Sequence, residues 1–216
     1  MKLQFLLSTF ARRAVRLGFC LPLTALLVGC ESFPQLTSAD PQANWQAHLQ
    51  WLESIEEWRT SGRVAVQLPD EGWSATLRWR QKPHDYQIRL SGPFGQGAVR
   101  VDGNADGVVL RTADGRRRHA ANAEQLIAAE LGAEVPVSLL RYWLLGRPAP
   151  AIKVDELQLD GDGLLQELSQ AGWVISYQGY ATHESGLLPV RLRIGRGQSK
   201  ARFVLGDWQT TGRAAQ

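Results

Sequence analysis

The sequence contains few of the side chains on which enzymes and metal sites depend: two cysteines, one methionine and four histidines in 216 residues. No histidine has a recognisable catalytic or metal-binding neighbourhood; the four are His48, His84, His119 and His183. The chain also lacks Gly-x-Ser-x-Gly, His-Glu-x-x-His, Cys-x-x-Cys and Gly-x-x-x-x-Gly-Lys-Ser/Thr motifs. We therefore expect no catalysis, no metal and no cofactor, and any transport must run downhill without a bound nucleotide.

The hydrophobic segment near the N-terminus, Leu17 to Val28, is too short to cross a hydrocarbon core of about 30 Å as a helix. Four basic residues precede it, and the segment ends in Leu27-Val28-Gly29-Cys30. This order is typical of a lipoprotein signal peptide, in which a small residue precedes the cleavage site. We predict that residues 1–29 are removed and that Cys30 carries a thioether-linked diacylglycerol and an N-acyl chain. The alternatives are an uncleaved membrane anchor and an ordinary secretory signal in which Cys30 is incidental.

Cleavage at this site changes the chemistry of the remaining chain. Cys20 leaves with the signal and Cys30 is acylated, so no disulfide is available and stability must come from packing. The net charge of +3 falls to −1, because four of the 24 Lys and Arg residues and none of the 21 Asp and Glu residues lie in the signal. A chain with this net charge lacks the excess of cationic side chains that binding to nucleic-acid phosphates requires. The remaining 187 residues suffice for one domain.

Residues 30–42 are rich in Ser, Pro, Gln, Thr and Asp and show no periodicity, which predicts a lipidated, flexible tether. The folded domain is then expected over residues 43–216. Glu31 follows the lipidated cysteine, whereas retention in the inner membrane depends chiefly on an aspartate at that position. We therefore expect a lipid-anchored protein of the outer membrane that faces the periplasm.

Periodicity within the domain predicts one helix, then strands with a helical interruption. Ser38 or Asp40 can cap the first helix and Pro41 can open it; its apolar positions are Trp45, Leu49, Leu52 and Ile55, with Trp51 and Trp58 beside them.

From Gly62 onward apolar residues recur at every second position, which is the spacing of a strand. Strands are predicted at 63–68, 73–80, 86–90, 99–102, 108–111, 157–160, 164–169, 173–180, 190–194 and 200–208. Two helices, Ala123 to Leu131 and Pro136 to Leu145, interrupt them. The predicted fold class is α+β, with a single curved antiparallel sheet wrapped around the helices.

Two segments suggest contact surfaces. In Ser91 to Gly97, three glycines and a proline surround Phe94, and strands resume on both sides, so the loop is predicted to be a hairpin tip that points away from the sheet. Phe94 could instead fold back onto the core.

The basic run Arg116 to Arg118 could bind a partner, although such a run on an edge strand is more often solvated or protects the edge from aggregation.

The sequence resembles the LolB family, the outer-membrane lipoprotein receptors of Gram-negative bacteria. The resemblance rests on the lipobox ending at Cys30, Gly62-Arg63, Gly92-Pro93-Phe94-Gly95, the segment Pro136 to Pro148, and Leu188-Pro189. It covers essentially the whole mature chain. In the family the protruding tip carries a leucine, and Phe94 stands at that position here.

The resemblance implies an open, incomplete β-barrel with lid helices, similar to LolA and LolB. Its hydrophobic interior would accept the acyl chains of lipoproteins from the periplasmic carrier LolA and pass the cargo to the inner leaflet of the outer membrane. The tip loop, Gly92, Pro93, Phe94 and Gly95, would insert into the membrane, Cys30 would anchor the protein there, and the protein would act as a monomer. The competing interpretation is a lipid-anchored scaffold that binds another envelope protein through a sheet edge or through Arg116 to Arg118.

Burial of acyl chains contributes about 0.8 kcal/mol per methylene, so the cavity must cover the chains of the cargo. The candidate lining residues lie on predicted sheet faces and on the second internal helix: Trp79, Ile88, Leu90, Val99, Val101, Leu140, Trp143 and Leu144. The sequence alone does not separate such a lining from an ordinary dry core.

Overall fold

The computed structural model describes residues 40–95, 97–132, 134–183 and 186–212. The predicted signal peptide, Cys30 and the tether up to residue 39 lie outside the described residues. The side chain of Phe94 lies outside them as well, although the backbone of its turn is described. No helix in the described part of the chain is long and apolar enough to cross a membrane.

The first helix, α1, spans Pro41–Ser54 and begins as its sequence predicts. The Asp40 side chain caps it by accepting a hydrogen bond of 2.9 Å from the backbone N–H of Gln42. The helix ends earlier than predicted, because Ile55 opens a strand and Trp58 lies within that strand. Leu52, Ile55 and Trp58 have helical spacing, but strand pairing on both sides of Trp58 overrides that local pattern.

Eleven strands follow among the described residues, and they form one antiparallel sheet. Their bounds are β1 Ile55–Gln67, β2 Gly72–Gln81, β3 Tyr86–Ser91, β4 Val99–Asn104, β5 Gly107–Thr112, β6 Arg117–Ala120, β7 Val154–Leu159, β8 Leu165–Gln170, β9 Trp173–His183, β10 Gly186–Arg196 and β11 Ser199–Gly212. All ten predicted strands are present. The prediction missed β6 as a definite strand and began β1 eight residues too late.

The strand order is β6-β5-β4-β3-β2-β1-β11-β10-β9-β8-β7. The chain therefore enters at the middle of the sheet, runs to the β6 edge, crosses to the β7 edge and returns until β11 pairs with β1. The crossing segment carries α2, Ala123–Leu131, and α3, Val137–Trp143. The two edges are different strands that do not pair, so the curved sheet remains open, which confirms the predicted fold class.

Helix α2 has its predicted bounds and capping, whereas α3 is shorter than predicted. Asn122 caps α2 by accepting a 3.0 Å hydrogen bond from the N–H of Gln125, and Gly132 ends it with a φ of 66°. Helix α3 stops at Trp143, two residues before the predicted end. The backbone tightens there into turns that end at Gly146, whose N–H donates to the carbonyl of Trp143 at 3.0 Å.

The hydrophobic core lies between the inner face of the sheet and the helices. Among the described residues, its buried members run from Trp45 to Trp208. At its centre the ring of Trp58 packs 5.5 Å from Trp79 and 5.5 Å from Trp208, measured between centroids. These large rings supply the apolar area that stabilises a domain without disulfides.

Candidate functional site

An apolar cavity lies between the inner face of the sheet and the helices α2 and α3. Its empty volume is about 710 Å³, part of which is open to solvent. Most of its lining is aliphatic or aromatic: Val64, Val66, Leu68, Trp73, Leu77, Trp79, Ile88, Leu90, Ile127, Leu131, Val135, Val137, Leu140, Trp173, Ile194, Ala201 and Phe203. A site with this lining can hold hydrocarbon and offers little to orient a polar ligand.

The alternation of side chains along the strands produces this lining. On β2, Leu77 and Trp79 face inward and are buried, while Arg78 and Arg80 between them are exposed. On β1, Val64 and Val66 face inward in the same way. Because side chains of a strand point alternately to opposite faces, a period of two in the sequence creates one apolar and one polar surface.

The structure divides the eight predicted lining residues into two sets of four. Trp79, Ile88, Leu90 and Leu140 line the cavity. Val99, Val101, Trp143 and Leu144 do not line it and are buried in the core instead.

The four residues outside the cavity are separated from it by their positions in the fold. Val99 and Val101 lie on β4, one strand beyond the cavity wall formed by β1, β2 and β3. Trp143 faces the other half of the sheet, where its Nε1 donates a 2.9 Å hydrogen bond to Gln170. The acyl-chain role of all eight residues stays a prediction.

Several cavity residues were missed by sequence reasoning. Val64, Val66 and Phe203 face inward on the two central strands β1 and β11, while Ile127 and Leu131 reach the cavity from α2. The alternation in β1 and β11 shows which side chains share a face. It does not show which part of that face opposes a helix, and that position separates cavity lining from core.

A single buried amide holds α3 and the following connector against the sheet. Gln170 is fully buried; its Oε1 accepts hydrogen bonds of 2.9 Å from Trp143 Nε1 and from the N–H of Ala149. Its Nε2 donates to the carbonyls of Ala149 and Ile152 at 2.9 and 2.8 Å. Every polar atom of this side chain is thereby satisfied. The end of α3 is thus fixed to β8, and Leu140, one turn earlier in α3, lines the cavity.

Two tyrosines complete that support. The hydroxyl of Tyr177 donates to the carbonyl of Trp143 at 2.9 Å, and that of Tyr180 donates to the carbonyl of Leu165 at 2.8 Å. Burial raises the pKa of both hydroxyls, so both remain protonated donors at neutral pH.

The polar part of the cavity lining lies where the loop between α2 and α3 meets the turn between β10 and β11. Glu134 in that loop forms an ion pair with Arg196, whose guanidinium lies 4.7 Å from the ring centroid of Trp173. Glu134, Ser199 and Lys200 are the polar members of the lining. The ion pair is largely exposed, so it contributes little stability.

The predicted tip connects β3 to β4 and contains a 3₁₀ turn over Pro93–Gly95. The N–H of Gly95 donates to the carbonyl of Gly92 at 3.0 Å. Gly95 and Gly97 have positive φ values of 80° and 61°, and a Cβ added at either would have no neighbour within 4 Å. The backbone on the C-terminal side of the tip therefore borders open space. The orientation of the Phe94 ring stays a prediction.

The basic run lies at the β6 edge of the sheet. Arg116 pairs with Asp114 at 2.7 Å and with Glu130 of α2 at 3.2 Å, and Arg118 lies 3.8 Å from Glu130. These contacts tie the edge strand to α2. Among the described residues no group of three or more His, Cys, Asp or Glu side chains is arranged to hold a metal ion.

Comparisons with known proteins agree with this architecture. The family described as outer membrane lipoprotein LolB matches residues 56–208. The outer-membrane lipoprotein LolB of Nitrosococcus oceani is 42% identical over 195 residues, covering 90% of this chain and 97% of the relative. That of Pseudomonas putida is 40% identical over 191 residues, covering 87% of this chain and 92% of the relative.

Two solved structures share the fold at low sequence identity. A LolA superfamily protein from Nitrosomonas europaea has a TM-score of 0.50 at 7% identity, covering 78% of this chain and 94% of that chain. A DUF1329 family protein from Desulfovibrio piger has a TM-score of 0.50 at 8% identity, covering 79% and 93%. Both likenesses concern the fold alone.

Proposed function

Because the chain belongs to the LolB family of outer-membrane lipoproteins, we propose that it accepts lipoproteins from a LolA-like periplasmic carrier and inserts them into the inner leaflet of the outer membrane. The observation that carries this proposal is the apolar cavity between the sheet and α2 and α3. In the proposed transfer the cavity covers the acyl chains, while the polypeptide of the cargo stays outside. No covalent bond is formed or broken, so the transfer needs no catalytic residue.

The energetics of acyl chains explain why such a cavity is needed. Each methylene exposed to water costs about 0.8 kcal/mol, so three unshielded chains would cost tens of kcal/mol. The cavity lining, from Val64 on β1 to Leu140 on α3, replaces water around the chains with hydrocarbon. The transfer from the carrier to the membrane then proceeds without a large barrier.

Release requires that the cavity hold the chains less well than a bilayer does. A cavity that is partly open to solvent leaves some hydrocarbon uncovered, which limits its affinity. Its few polar members are Glu134, Ser199 and Lys200, which offer no dedicated site for a lipid headgroup or for a single cargo. We infer an affinity between that of the carrier and that of the membrane, so that cargo moves downhill.

The same proposal assigns the N-terminal part of the chain to anchoring. Residues 1–29 act as the lipoprotein signal peptide, Cys30 carries the lipid and residues 43–216 belong to the lipoprotein-binding domain. The tether predicted over residues 30–42 ends before Pro41, where α1 begins. Several acyl chains on Cys30 hold a protein at a bilayer far more firmly than one chain does. The domain then works as a monomer at the outer membrane.

The loop Gly92–Gly95 is proposed to contact the bilayer during insertion. An exposed apolar side chain at a tip stabilises membrane contact by about 1.5 to 3 kcal/mol. This amount orients the domain without anchoring it, because anchoring belongs to Cys30.

A cavity-filling substitution tests the proposal. Ala201 lines the cavity from β11, so Ala201→Phe places a ring in the space that acyl chains would occupy. The lipid-free chain from Glu31 onward includes every core residue that the structure describes, and it serves for the measurement. We expect at least a tenfold weaker binding of a fluorescent fatty acid, and loss of lipoprotein uptake from the carrier.

Val204→Phe is the matched control, because Val204 lies on the same strand, points outward and is 45% exposed. It should bind the fatty acid like the unmodified chain. Absence of saturable binding by the unmodified chain would refute the acyl-chain role and leave a tethered scaffold.

A further inference from the structure

Five arginines form one continuous row across the outer face of strands β2 to β6. Each lies directly opposite the next in the strand register: Arg78, Arg89, Arg100, Arg111 and Arg117. Since neighbouring strands are about 4.8 Å apart, the row spans roughly 19 Å. We call these five residues the arginine row.

The positive charges of the arginine row repel one another across the sheet. Like charges directly opposite each other on a sheet are destabilising. Asp102 offsets part of this repulsion by pairing with Arg100 at 2.8 Å and with Arg111. Arg78 and Arg89 are exposed and have no ion pair within the described residues. Their charges remain available to an external anion.

The surroundings of the row enlarge the cationic surface. On β1 and β2, Arg59 lies opposite Arg80, and both are exposed on this face. A groove beside the row is lined in part by Thr76, Arg78, Arg89 and Ser91. Guanidinium groups bind phosphate oxygens through paired N–H donors, and hydroxyls add further hydrogen bonds. The groove therefore suits phosphate groups.

The position of the row points to a lipid surface. The groove is bordered by Ser91 and Ala98, the two residues that flank the Gly92–Gly97 loop, so the row begins at the base of the proposed membrane-contact tip. When the tip contacts the bilayer, the arginine row therefore lies next to the headgroups.

The composition of this face argues against a protein partner. Protein interfaces have an apolar centre that is depleted of charge. The exposed large hydrophobic residues found in the described part of the chain are Ile152, Val174 and Val204, and none of them lies on β2 to β6. A charged face without an apolar centre fits the headgroup region of a membrane.

Resting on the proposed membrane insertion by the tip, we propose that the arginine row binds the phosphate groups of anionic lipids and orients the cavity during release of cargo. The tip enters the bilayer beside the row, and Arg78 and Arg89 contact the headgroups. The contribution of the arginine row to membrane binding depends on anionic lipid and on ionic strength. The contribution of the apolar tip depends on neither.

The test uses the lipid-free chain from Glu31 onward and sedimentation with vesicles. One set contains phosphatidylcholine alone, and a second contains about one third phosphatidylglycerol. For the double variant Arg78→Gln, Arg89→Gln we expect about 25-fold weaker binding to the anionic vesicles, because each arginine near a surface contributes about fivefold. Binding to phosphatidylcholine vesicles should stay the same, and high salt should abolish the difference between variant and unmodified chain.

The matched control is Arg191→Gln, Arg193→Gln, since both residues are exposed on the outer face of β10 in the other half of the sheet. It should change anionic binding less than the row variant does. Equal binding by the row variant and the unmodified chain would overturn the proposal. So would a row variant that loses affinity for the carrier alone, because the partner would then be a protein.

The test of the arginine row and the test of the acyl-chain cavity can fail independently of each other. The row variant should still bind the fluorescent fatty acid, since Arg78 and Arg89 point away from the cavity. If the unmodified chain fails to bind fatty acid but the row variant loses anionic binding, the cavity proposal fails and the membrane contact stands. The reverse pattern rejects the arginine row and leaves the cavity proposal intact.

Discussion

At the scale of single residues, Gln170 shows how one buried polar side chain positions the candidate site. Its four hydrogen bonds join β8 to α3 and to the connector that follows α3. An amide is expensive to bury unless it is satisfied, and this one is fully satisfied. The glutamine therefore fixes where α3 lies, and α3 in turn carries Leu140 into the cavity wall.

The tip gives a prediction at the same scale. Phe94→Glu places a charge at the proposed membrane contact, whereas Phe94→Leu keeps an apolar side chain there. We expect Phe94→Glu to slow insertion of lipoprotein into liposomes at least tenfold, because about 1.5 to 3 kcal/mol of apolar contact is lost. Uptake of cargo from the carrier should not change. Equal insertion by both variants would contradict the role of the tip.

At the scale of elements, α1 is fixed to the turn between β7 and β8 by a close backbone approach. Gly163 in this turn has a φ of 83°, and a Cβ there would lie 2.4 Å from the carbonyl oxygen of Pro41. Asn44 adds a 3.2 Å hydrogen bond from Nδ2 to the carbonyl of Asp162. Helix α1 is thus held on the half of the sheet opposite the arginine row.

Gly163→Ala should disturb this contact. The added methyl group requires both a strained φ and a shift of α1, so we expect the free energy of unfolding to fall by about 2 to 3 kcal/mol. Denaturant unfolding followed by tryptophan fluorescence measures the change. Gly161→Ala in the same turn is the control, because a Cβ there meets nothing within 4 Å, and it should leave stability nearly unchanged.

At the scale of the whole molecule, the open sheet leaves two edge strands, β6 and β7. Unpaired edges invite association with another chain, and charged side chains counteract it. Arg117 and Arg118 supply charge at the β6 edge, and Asp155 and Glu156 supply it at the β7 edge. An open sheet can therefore stay monomeric while its interior remains accessible.

Sedimentation velocity tests this expectation. The lipid-free chain should sediment as a monomer, and the double variant Arg117→Thr, Arg118→Thr should self-associate at a lower protein concentration. The physical reason is that threonine keeps the strand but removes the repulsion between approaching edges. A variant that stays as monomeric as the unmodified chain would show that these charges do not protect the edge.

Much of this protein follows from local sequence. The cap at Asp40, the helix end at Gly132 and the inward alternation of Leu77 and Trp79 depend on neighbours along the chain, and the sequence predicts each of them. The lipobox, with the segments Gly92–Gly95 and Pro136–Pro148, was sufficient to indicate the LolB family. Local patterns failed at Ile55, where long-range pairing replaced a helix by a strand.

The tertiary structure alone decided which apolar residues border an empty volume. Alternation assigns Trp79 and Val101 to the same face, yet Trp79 lines the cavity and Val101 lies in the core. The difference arises because β1 pairs with β11 and because the helices cross from one edge of the sheet to the other. Both features bring together residues that are far apart in the chain. A side chain's face is a local property of its strand, whereas a cavity depends on what lies opposite that face.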